Sequence, residues 1–373
     1  MRIRFIGKRH YTNRDAYSER FGRIYQLPYW WANAGHEVDL WLIDYHGREA
    51  AATKDGGLNV ETTPLLRWRF FVRLVAACRF YRRSRRPDVV VASGDCYIGL
   101  IGYLVARLRG ARFVFDMYDR YDLFAGYRRL LGFDPQTFLL RHADIVCFAS
   151  ASVLEKYRGL TRNACLVPNG IDTTRFQPVS MSVSRQQFQL PESKTLVGYF
   201  GSMEPDRGVS DLIAAVGRLV DDGVDANLVI AGTANPEISL DHPWVHYLGN
   251  LDFAQMPAAL SSCDILALPY RQSEFMDSGA SCKIAEYIAV GRPVFATRTS
   301  NLVANFPEQA SELDDLLAKP GDVEDIRRCL RAQIAERRVA SMPGNMEWRS
   351  ISEGLLESLE AERTPKKAGR GGG

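Results

Sequence analysis

The sequence lacks any run of about 18 uninterrupted apolar residues, and its first residues lack the apolar core of a secretory signal. We therefore expect a cytoplasmic chain without a membrane-spanning segment. Seven cysteines are scattered without two-residue spacing or an accompanying histidine cluster, which argues against zinc or disulfides and predicts reduced thiols. Neither Gly-x-Gly-x-x-Gly after the first strand nor Gly-x-x-x-x-Gly-Lys-Ser/Thr occurs, so dinucleotide oxidoreductases and P-loop ATPases lose their main support.

The composition is that of a globular protein, with 46% hydrophobic and 24% charged residues, and 373 residues suggest two domains. The charge is unevenly distributed along the chain. Residues 1–169 contain 27 Lys and Arg against 16 Asp and Glu, whereas the remainder contains 20 against 28. Only the basic half is expected to face an anionic surface, and charge alone leaves lipid, nucleic acid and a phosphorylated acceptor open.

Short apolar strands alternate with amphipathic helices in both halves, which predicts βαβ units and a parallel sheet in each. Ten strands are predicted, at 3–7, 38–43, 89–92, 113–116, 145–149, 196–201, 226–231, 245–248, 265–269 and 293–296. Helices are predicted over 21–34 and 98–108, and to begin near Val209, Phe253, Lys283 and Val323. The Pro-Asn-Gly turn and the change of charge near 167–178 place the domain junction there.

A glycine turn follows the strand predicted at 196–201 and leads into a helix. Gly201 allows close approach of a ligand to the backbone, and Arg207 can place a cation beside phosphates near the helix N-terminus. The alternative is a plain strand-to-helix turn with a surface arginine.

A second loop of small residues begins at Asp277 and leads into a helix with Lys283 in its first turn. Glu286 lies three residues later, on the same helix face. Backbone N–H groups at such a helix start can bind an anion, lysine suits a diphosphate, and a carboxylate suits ribose hydroxyls. The alternative is a Lys–Glu pair on a solvated face.

Six segments of the second half occur in the order and spacing of a known family. They lie at 168–172, 201–208, 228–233, 246–250, 263–269 and 283–294. In this region the chain resembles family 4 of the glycosyltransferases, in a subgroup with Lys-x-x-Glu-Tyr in place of the paired-glutamate motif. The resemblance implies the GT-B fold, with two Rossmann-like doubly wound domains facing a central cleft. The expected organisation is an acceptor-binding domain at 1–170, a nucleotide-sugar domain at 171–345, a helix at 346–363 crossing back to the first domain, and a disordered tail at 364–373.

The resemblance also implies roles for individual positions. Glu286 would hold the ribose hydroxyls, and Arg207 and Lys283 the diphosphate. Gly249 and Asn250 would meet the base, and Gly279, Ala280 and Ser281 the sugar and distal phosphate. Gly201, Ser202 and Ser278 complete the predicted donor site, although Ser202 replaces the family's usual arginine and Ser278 its first glutamate. Residues 7–14 replace the family's glycine-rich N-terminal loop.

The predicted catalytic residues are Arg207, Lys283 and Asp119. Three carboxylates, of Asp116, Asp119 and Asp122, follow a buried strand of the first half and should face the cleft. Asp119 is the preferred general base for an acceptor hydroxyl, because related sequences often carry a His or Asp after this strand. Helix capping or pairing with Arg120 is the alternative role for these carboxylates.

Residues 65–86 contain eight arginines and no acidic residue, interleaved with aromatic and aliphatic side chains. This composition favours a helix at an anionic membrane surface over an ordinary helix with an arginine-rich face, and no nucleic-acid-binding module accompanies it.

The sequence thus predicts a glycosyltransferase that moves a sugar from a nucleoside-diphosphate sugar to a glycan or polyprenyl-linked acceptor, in surface polysaccharide or glycolipid biosynthesis. The predicted enzyme is retaining, needs no metal or other cofactor, and lies peripherally on the inner face of the cell membrane. The alternatives are a nucleotide-sugar epimerase of related fold and a non-catalytic nucleotide-sugar-binding protein.

Overall fold

The computed structural model describes residues 1–11, 14–47, 50–65, 86–124, 126–129, 132–279 and 281–361. Two compact units divide the chain. The first comprises Met1–Gly170 and Asn345–Gly373, and the second comprises Ile171–Gly344. The predictions for 364–373 and for most of the arginine-rich segment, at 66–85, lie outside the described residues.

The first unit is built on a sheet of eight strands in the order β10-β9-β8-β7-β1-β4-β6-β5. All neighbours are parallel except the edge pair β5 and β6. The strands are β1 (Arg2–Lys8), β4 (Glu37–Asp44), β5 (Ala51–Asp55), β6 (Leu58–Pro64), β7 (Val89–Ser93), β8 (Arg112–Met117), β9 (Ile145–Phe148) and β10 (Ala164–Leu166), and a separate hairpin joins β2 (His10–Tyr11) to β3 (Arg14–Asp15). The central strands are buried and apolar, as expected of a sheet covered on both faces.

The described helices of the first unit are α1 (Gly22–Asn33), α2 (Cys96–Arg109), α3 (Pro135–His142), α4 (Ala151–Tyr157) and the C-terminal α13 (Trp348–Ala361). The C-terminal helix packs against α1 although more than 300 residues separate them in sequence. The indole of buried Trp31 donates to the carbonyl of Ser352 at 2.9 Å, and the Ser352 hydroxyl donates to the carbonyl of Leu27 at 3.0 Å. The last helix therefore contributes to the core of the first unit.

The second unit contains a five-stranded parallel sheet in the order β13-β12-β11-β14-β15. Its strands are β11 (Thr195–Phe200), β12 (Ala226–Ala231), β13 (Val245–Tyr247), β14 (Ile265–Leu268) and β15 (Val294–Ala296). The chain winds outward from β11 in one direction and then from β14 in the other. In such sheets ligands bind outside the carboxyl ends of the strands, at the point where the winding reverses. Here that point lies between β11 and β14.

The helices described in the second unit are α5 (Met181–Gln187), α6 (Val209–Asp221), α7 (Met256–Ser261), α8 (Glu274–Ser278), α9 (Lys283–Ala289), α10 (Ser300–Asn305), α11 (Pro307–Glu312) and α12 (Val323–Glu336). The α6 helix has seven buried residues and packs against α12. No helix of the described residues is long and apolar enough to cross a membrane.

All ten predicted strands are confirmed, with ends displaced by one residue at most, and so is the α/β class. The predicted helices also occur, except that the one expected near Phe253 starts as a 3₁₀ turn, Phe253–Gln255, before α7. The six cysteines within the described ranges are free thiols, as predicted.

Candidate active site

Three glycines line the carboxyl edge of the second sheet, after β11, β12 and β13. The Gly201 amide donates to the Ala231 carbonyl, and the Gly232 amide to the Gly249 carbonyl, both at 2.8 Å. A Cβ atom on Gly232, whose φ is +130°, would collide with the Gly201 carbonyl oxygen. The strand ends can approach this closely only without side chains, and they leave bare backbone at the edge where a ligand is expected.

Lys283 begins helix α9 and reaches back to the end of β11. Its ammonium donates to the carbonyl of Phe200, and a Cβ atom on Gly201 would collide with the Lys283 Nζ. The ammonium does not pair with Glu286, so the structure differs from the alternative of a Lys–Glu pair on a solvated face. A neutral carbonyl oxygen accepts the hydrogen bond, and the positive charge of the lysine is not cancelled.

Arg207 ends the 3₁₀ turn Pro205–Arg207, directly before helix α6. The turn packs against the end of β14 because Gly208, with φ of +66°, has no side chain; a Cβ there would collide with the Pro269 carbonyl. The Arg207 guanidinium carbon lies 5.3 Å from the centre of the Tyr270 ring. Within the described ranges no carboxylate pairs with this guanidinium, so Arg207 also keeps its charge.

The turn that carries Arg207 is tied to the segment after β14. The Asp206 carbonyl accepts from the Arg271 amide at 2.9 Å, and its carboxylate accepts from the Ser273 hydroxyl at 2.7 Å. The Arg271 guanidinium binds both oxygens of buried Asp211, in the first turn of α6, at 2.6 Å. These hydrogen bonds raise the pKa of Arg271. Together they fix the backbone on both sides of Arg207.

Glu286 is half-buried one turn after Lys283. The Cys282 thiol donates to its Oε1 at 3.7 Å. Burial, and next the charge of Glu286, raise the pKa of Cys282 well above its usual value, so this residue is a thiol at neutral pH. The location of Glu286, on the helix that begins at the glycine edge, is compatible with its predicted contact with ribose.

The loop between α8 and α9 is held by hydrogen bonds. The Asn301 amide donates to the carbonyls of Gly279 and Asp277, and the Ser278 hydroxyl donates to the Phe275 carbonyl at 2.7 Å. Ser281 Oγ accepts a long hydrogen bond, 3.4 Å, from the Lys283 amide. Ala280 lies outside the described residues. The predicted contacts of this loop with a sugar stay predictions.

Two further predicted residues lie along the same edge. The Ser202 carbonyl accepts from the Tyr199 hydroxyl at 2.6 Å. Asn250 is exposed, and its side-chain oxygen accepts from the Thr233 hydroxyl at 3.3 Å. The described members of the predicted donor site therefore all belong to the second unit.

Asp119 belongs to the first unit, in the loop after β8. Burial, and next the neighbouring Asp119, raise the pKa of Tyr118 well above its usual value. Asp122 pairs with Arg120 at 2.5 Å, which agrees with the alternative given for it above. The role of Asp119 as a general base stays a prediction.

Asp116 has a structural partner that the sequence did not indicate. The buried guanidinium of Arg23 binds both of its oxygens, at 2.6 and 2.9 Å, and also donates to Asn169 Oδ1 at 2.8 Å. Burial alone would lower the pKa of Arg23, but the adjacent Asp116 outweighs it and the net direction is upward. Asp116 therefore joins α1 to the strand β8.

Sequence reasoning overlooked Tyr199 and Tyr270, whose rings lie beside the two cations. Burial, and next the neighbouring Tyr270, raise the pKa of Tyr199, while Arg207 acts in the opposite direction. A signal was available, since Tyr199 and Tyr270 lie in or directly after the two strands that flank the winding reversal. An apolar strand end ordinarily suggests core packing, however.

The two units define a protein of the GT-B fold, and comparison with known proteins identifies its family. Two family descriptions match: "Glycosyl transferase 4-like domain" over residues 23–170 and "Glycosyl transferases group 1" over 194–335. Together they cover more than half of the chain. The chain belongs to these GT-B glycosyltransferases.

The sequence identity between this chain and individual relatives is low. The chain is 24% identical over 242 residues to a GDP-mannose-dependent monoacylated alpha-(1-6)-phosphatidylinositol monomannoside mannosyltransferase of Corynebacterium glutamicum, covering 59% of this chain and 62% of that relative. It is 25% identical over 308 residues to a GDP-mannose-dependent alpha-(1-6)-phosphatidylinositol dimannoside mannosyltransferase of Mycobacterium tuberculosis, covering 79% of each. The sucrose-phosphate synthase of Thermosynechococcus elongatus superposes with a TM-score of 0.72 at 16% identity, covering 98% of this chain and 100% of that one.

Proposed function

We propose that this chain transfers a sugar from a nucleoside-diphosphate sugar to a glycan or lipid-linked acceptor, in glycolipid or surface polysaccharide biosynthesis. The observation that carries the proposal is the pair of cations Arg207 and Lys283 at the glycine-lined carboxyl edge of the second sheet, for which no carboxylate partner occurs in the described part of the chain. As the glycosidic bond to the donor phosphate breaks, negative charge develops on the leaving diphosphate, and two fixed cations stabilise it.

The remaining donor contacts are proposed from the family. Glu286 would accept hydrogen bonds from the ribose hydroxyls, in the Lys-x-x-Glu-Tyr arrangement of Lys283, Glu286 and Tyr287. Gly249 and Asn250 would contact the base, and the loop of residues 279–281 the sugar and distal phosphate. Both relatives described above are named for GDP-mannose, and we therefore propose GDP-mannose as the first donor to try.

For the acceptor half we propose that Asp119 orients the acceptor hydroxyl and accepts its proton, and that the product keeps the anomeric configuration of the donor, as is usual in family 4. We further propose that the reaction needs no metal; the sequence contains no Asp-x-Asp donor motif. The names of the relatives refer to phosphatidylinositol mannosides, which supports a lipid-linked acceptor. A lipid-linked acceptor, together with the arginine-rich segment at 65–86, also supports a peripheral location on the inner face of the cell membrane.

One observation favours a second function, nucleotide-sugar binding without catalysis. Ser278 stands where the family has its first glutamate, and its hydroxyl is already bonded to the Phe275 carbonyl. A binding protein would retain donor affinity and show neither transfer nor donor hydrolysis.

The proposed diphosphate site is tested by calorimetric titration of GDP and guanosine into the wild type and the variants Arg207→Ala and Lys283→Ala. Each variant should bind GDP roughly tenfold or more weakly, since a charge-assisted hydrogen bond contributes about 1.5–3 kcal/mol, while guanosine affinity stays unchanged. Arg218→Ala is the control, because Arg218 is an exposed cation of the same unit paired with Glu324. Equal loss of GDP and guanosine affinity would show that the two residues shape the pocket without binding phosphate.

A further inference from the structure

Each of the two cations of the proposed diphosphate site lies over the face of a buried tyrosine. The Arg207 guanidinium carbon is 5.3 Å from the centre of the Tyr270 ring, and the Lys283 Nζ is 5.8 Å from that of Tyr199. Tyr199 has no exposed surface and Tyr270 is 8% exposed. Both distances lie within the range in which a cation is attracted by the negative face of an aromatic ring.

The rings occupy the place that carboxylates usually take beside a fixed cation. Two other arginines of the second unit are paired with acids, Arg271 with Asp211 and Arg185 with Asp264. For Arg207 and Lys283 it provides no such partner among the described residues. A carboxylate would hold the cation and also cancel its charge, whereas a ring face holds the cation and contributes no net charge.

The ring of Tyr270, and not its hydroxyl, is what contacts the arginine. Among the described residues the buried hydroxyl oxygen has no hydrogen-bond partner. The contact with the arginine is therefore made by the ring face. The two residues that flank Tyr270 are both fixed. Pro269 packs against the Arg207 turn at Gly208, and the Arg271 amide donates to the Asp206 carbonyl.

We propose that Tyr270 is a positioning residue that holds Arg207 by its ring face, and that the ring face of Tyr199 supports Lys283 beside its hydrogen bond to the Phe200 carbonyl, so that both cations meet the donor diphosphate with their charge intact. This inference rests on the proposed function, because it concerns the same diphosphate site. It assigns to two aromatic residues a role in anion affinity although neither needs to touch the nucleotide.

The test compares Tyr270→Phe with Tyr270→Leu by calorimetric titration of GDP and guanosine. Tyr270→Phe keeps the ring face and should bind GDP within about twofold of the wild type. Tyr270→Leu removes the ring face and should lower GDP affinity about fivefold, the effect expected for one cation–π contact. Guanosine affinity should be equal in all three proteins, which a general loss of structure would not produce.

A second series of variants keeps the shape of the side chain at position 270, so that its result does not depend on whether Tyr270→Leu folds correctly. Phenylalanine carrying one, two or three ring fluorines, incorporated at position 270, weakens the negative ring face in steps while its shape barely changes. GDP affinity should fall with each added fluorine in the wild-type background and stay constant in the Arg207→Ala background.

The outcomes separate the two proposals. A wild-type protein that binds no nucleoside diphosphate at all contradicts the proposed function. A wild type that binds GDP, together with an unchanged GDP affinity across Tyr270→Leu and the fluorinated series, overturns the positioning role alone. Loss of GDP affinity in Tyr270→Phe equal to that in Tyr270→Leu would overturn it too, because the hydroxyl and not the ring would then be responsible.

Discussion

At the residue scale, the proposed donor site depends on two cations that have no counter-ion among the described residues. Lys283 donates to a backbone carbonyl, and Arg207 lies over a ring. The buried pair Arg185–Asp264 of the same unit provides a contrast, since its carboxylate also accepts from the Leu196 amide at 2.7 Å. A cation without a carboxylate partner at a ligand edge is available to an anionic ligand, which supports the proposed binding role.

Glu286 gives the prediction at this scale. If its carboxylate accepts hydrogen bonds from two ribose hydroxyls, Glu286→Gln should weaken nucleotide binding by about 1.5–3 kcal/mol, because hydrogen bonds to a charged acceptor are lost. Calorimetry should show the loss for both GDP and guanosine, since both contain the ribose. Glu308→Gln, at an exposed position of the same unit, should leave both affinities unchanged. An unchanged affinity in folded Glu286→Gln would remove this residue from the site.

At the scale of elements, ten of the fifteen described strands and most helices could be predicted because their apolar patterns are local. The strand at Ala226–Ala231 and the helix starts at Val209, Lys283 and Val323 match the prediction. Five strands were not predicted, β2, β3, β5, β6 and β10. Of these, the edge strand β5 alternates little, and only Ala51 and Asp55 in it are even half-buried. This strand is defined by its backbone pairing with β6, which the local sequence does not indicate.

Only the separate residues of the site could be predicted, and not their contacts. A loop before a helix is a local sequence signal, and such loops mark the glycines, Arg207 and Lys283. That the Lys283 ammonium reaches the Phe200 carbonyl, across 83 positions, depends on sheet order, which no local pattern encodes. The same holds for the partnership of Asp116 with Arg23 and for the ring faces of Tyr199 and Tyr270.

Gly208 gives the prediction at the element scale, with Gly223 as its matched control. Both have positive φ, +66° and +81°, but a Cβ at Gly208 would collide with the Pro269 carbonyl, whereas nothing lies within 4 Å of one at Gly223. Gly223→Ala should cost about 1–2 kcal/mol of unfolding free energy from the backbone alone. Gly208→Ala should cost about 1–3 kcal/mol more through the collision, measured by urea unfolding.

Only Gly208→Ala should also lower GDP affinity, because it displaces the turn that carries Arg207. Equal stability and equal GDP affinity of the two alanine variants would show that the contact between this turn and Pro269 does not position Arg207.

At the scale of the whole molecule, the basic charge is concentrated in residues 1–169. We predict that the protein co-sediments with vesicles containing anionic lipid, is released as salt rises, and ignores neutral vesicles, because each basic residue near such a surface contributes about 1 kcal/mol. Replacement of Arg82, Arg83 and Arg85 by glutamine should reduce this binding and leave GDP affinity intact. Arg86 is kept, since its guanidinium donates to the Gly110 carbonyl. Wild-type protein that stays in the supernatant at low salt would exclude the membrane role.

The central claim is that a sugar moves from a nucleoside-diphosphate donor to an acceptor on this chain. Its most direct measurement is mass spectrometry of a reaction containing GDP-mannose, or another nucleotide sugar from a panel, with glycan and lipid-linked acceptors in vesicles. The account predicts an acceptor heavier by one sugar, with stoichiometric release of nucleoside diphosphate. Asp119→Asn should slow this turnover roughly 100-fold while donor affinity persists. Donor that binds tightly but is neither transferred nor hydrolysed with any acceptor would contradict the account and leave a nucleotide-sugar-binding protein in its place.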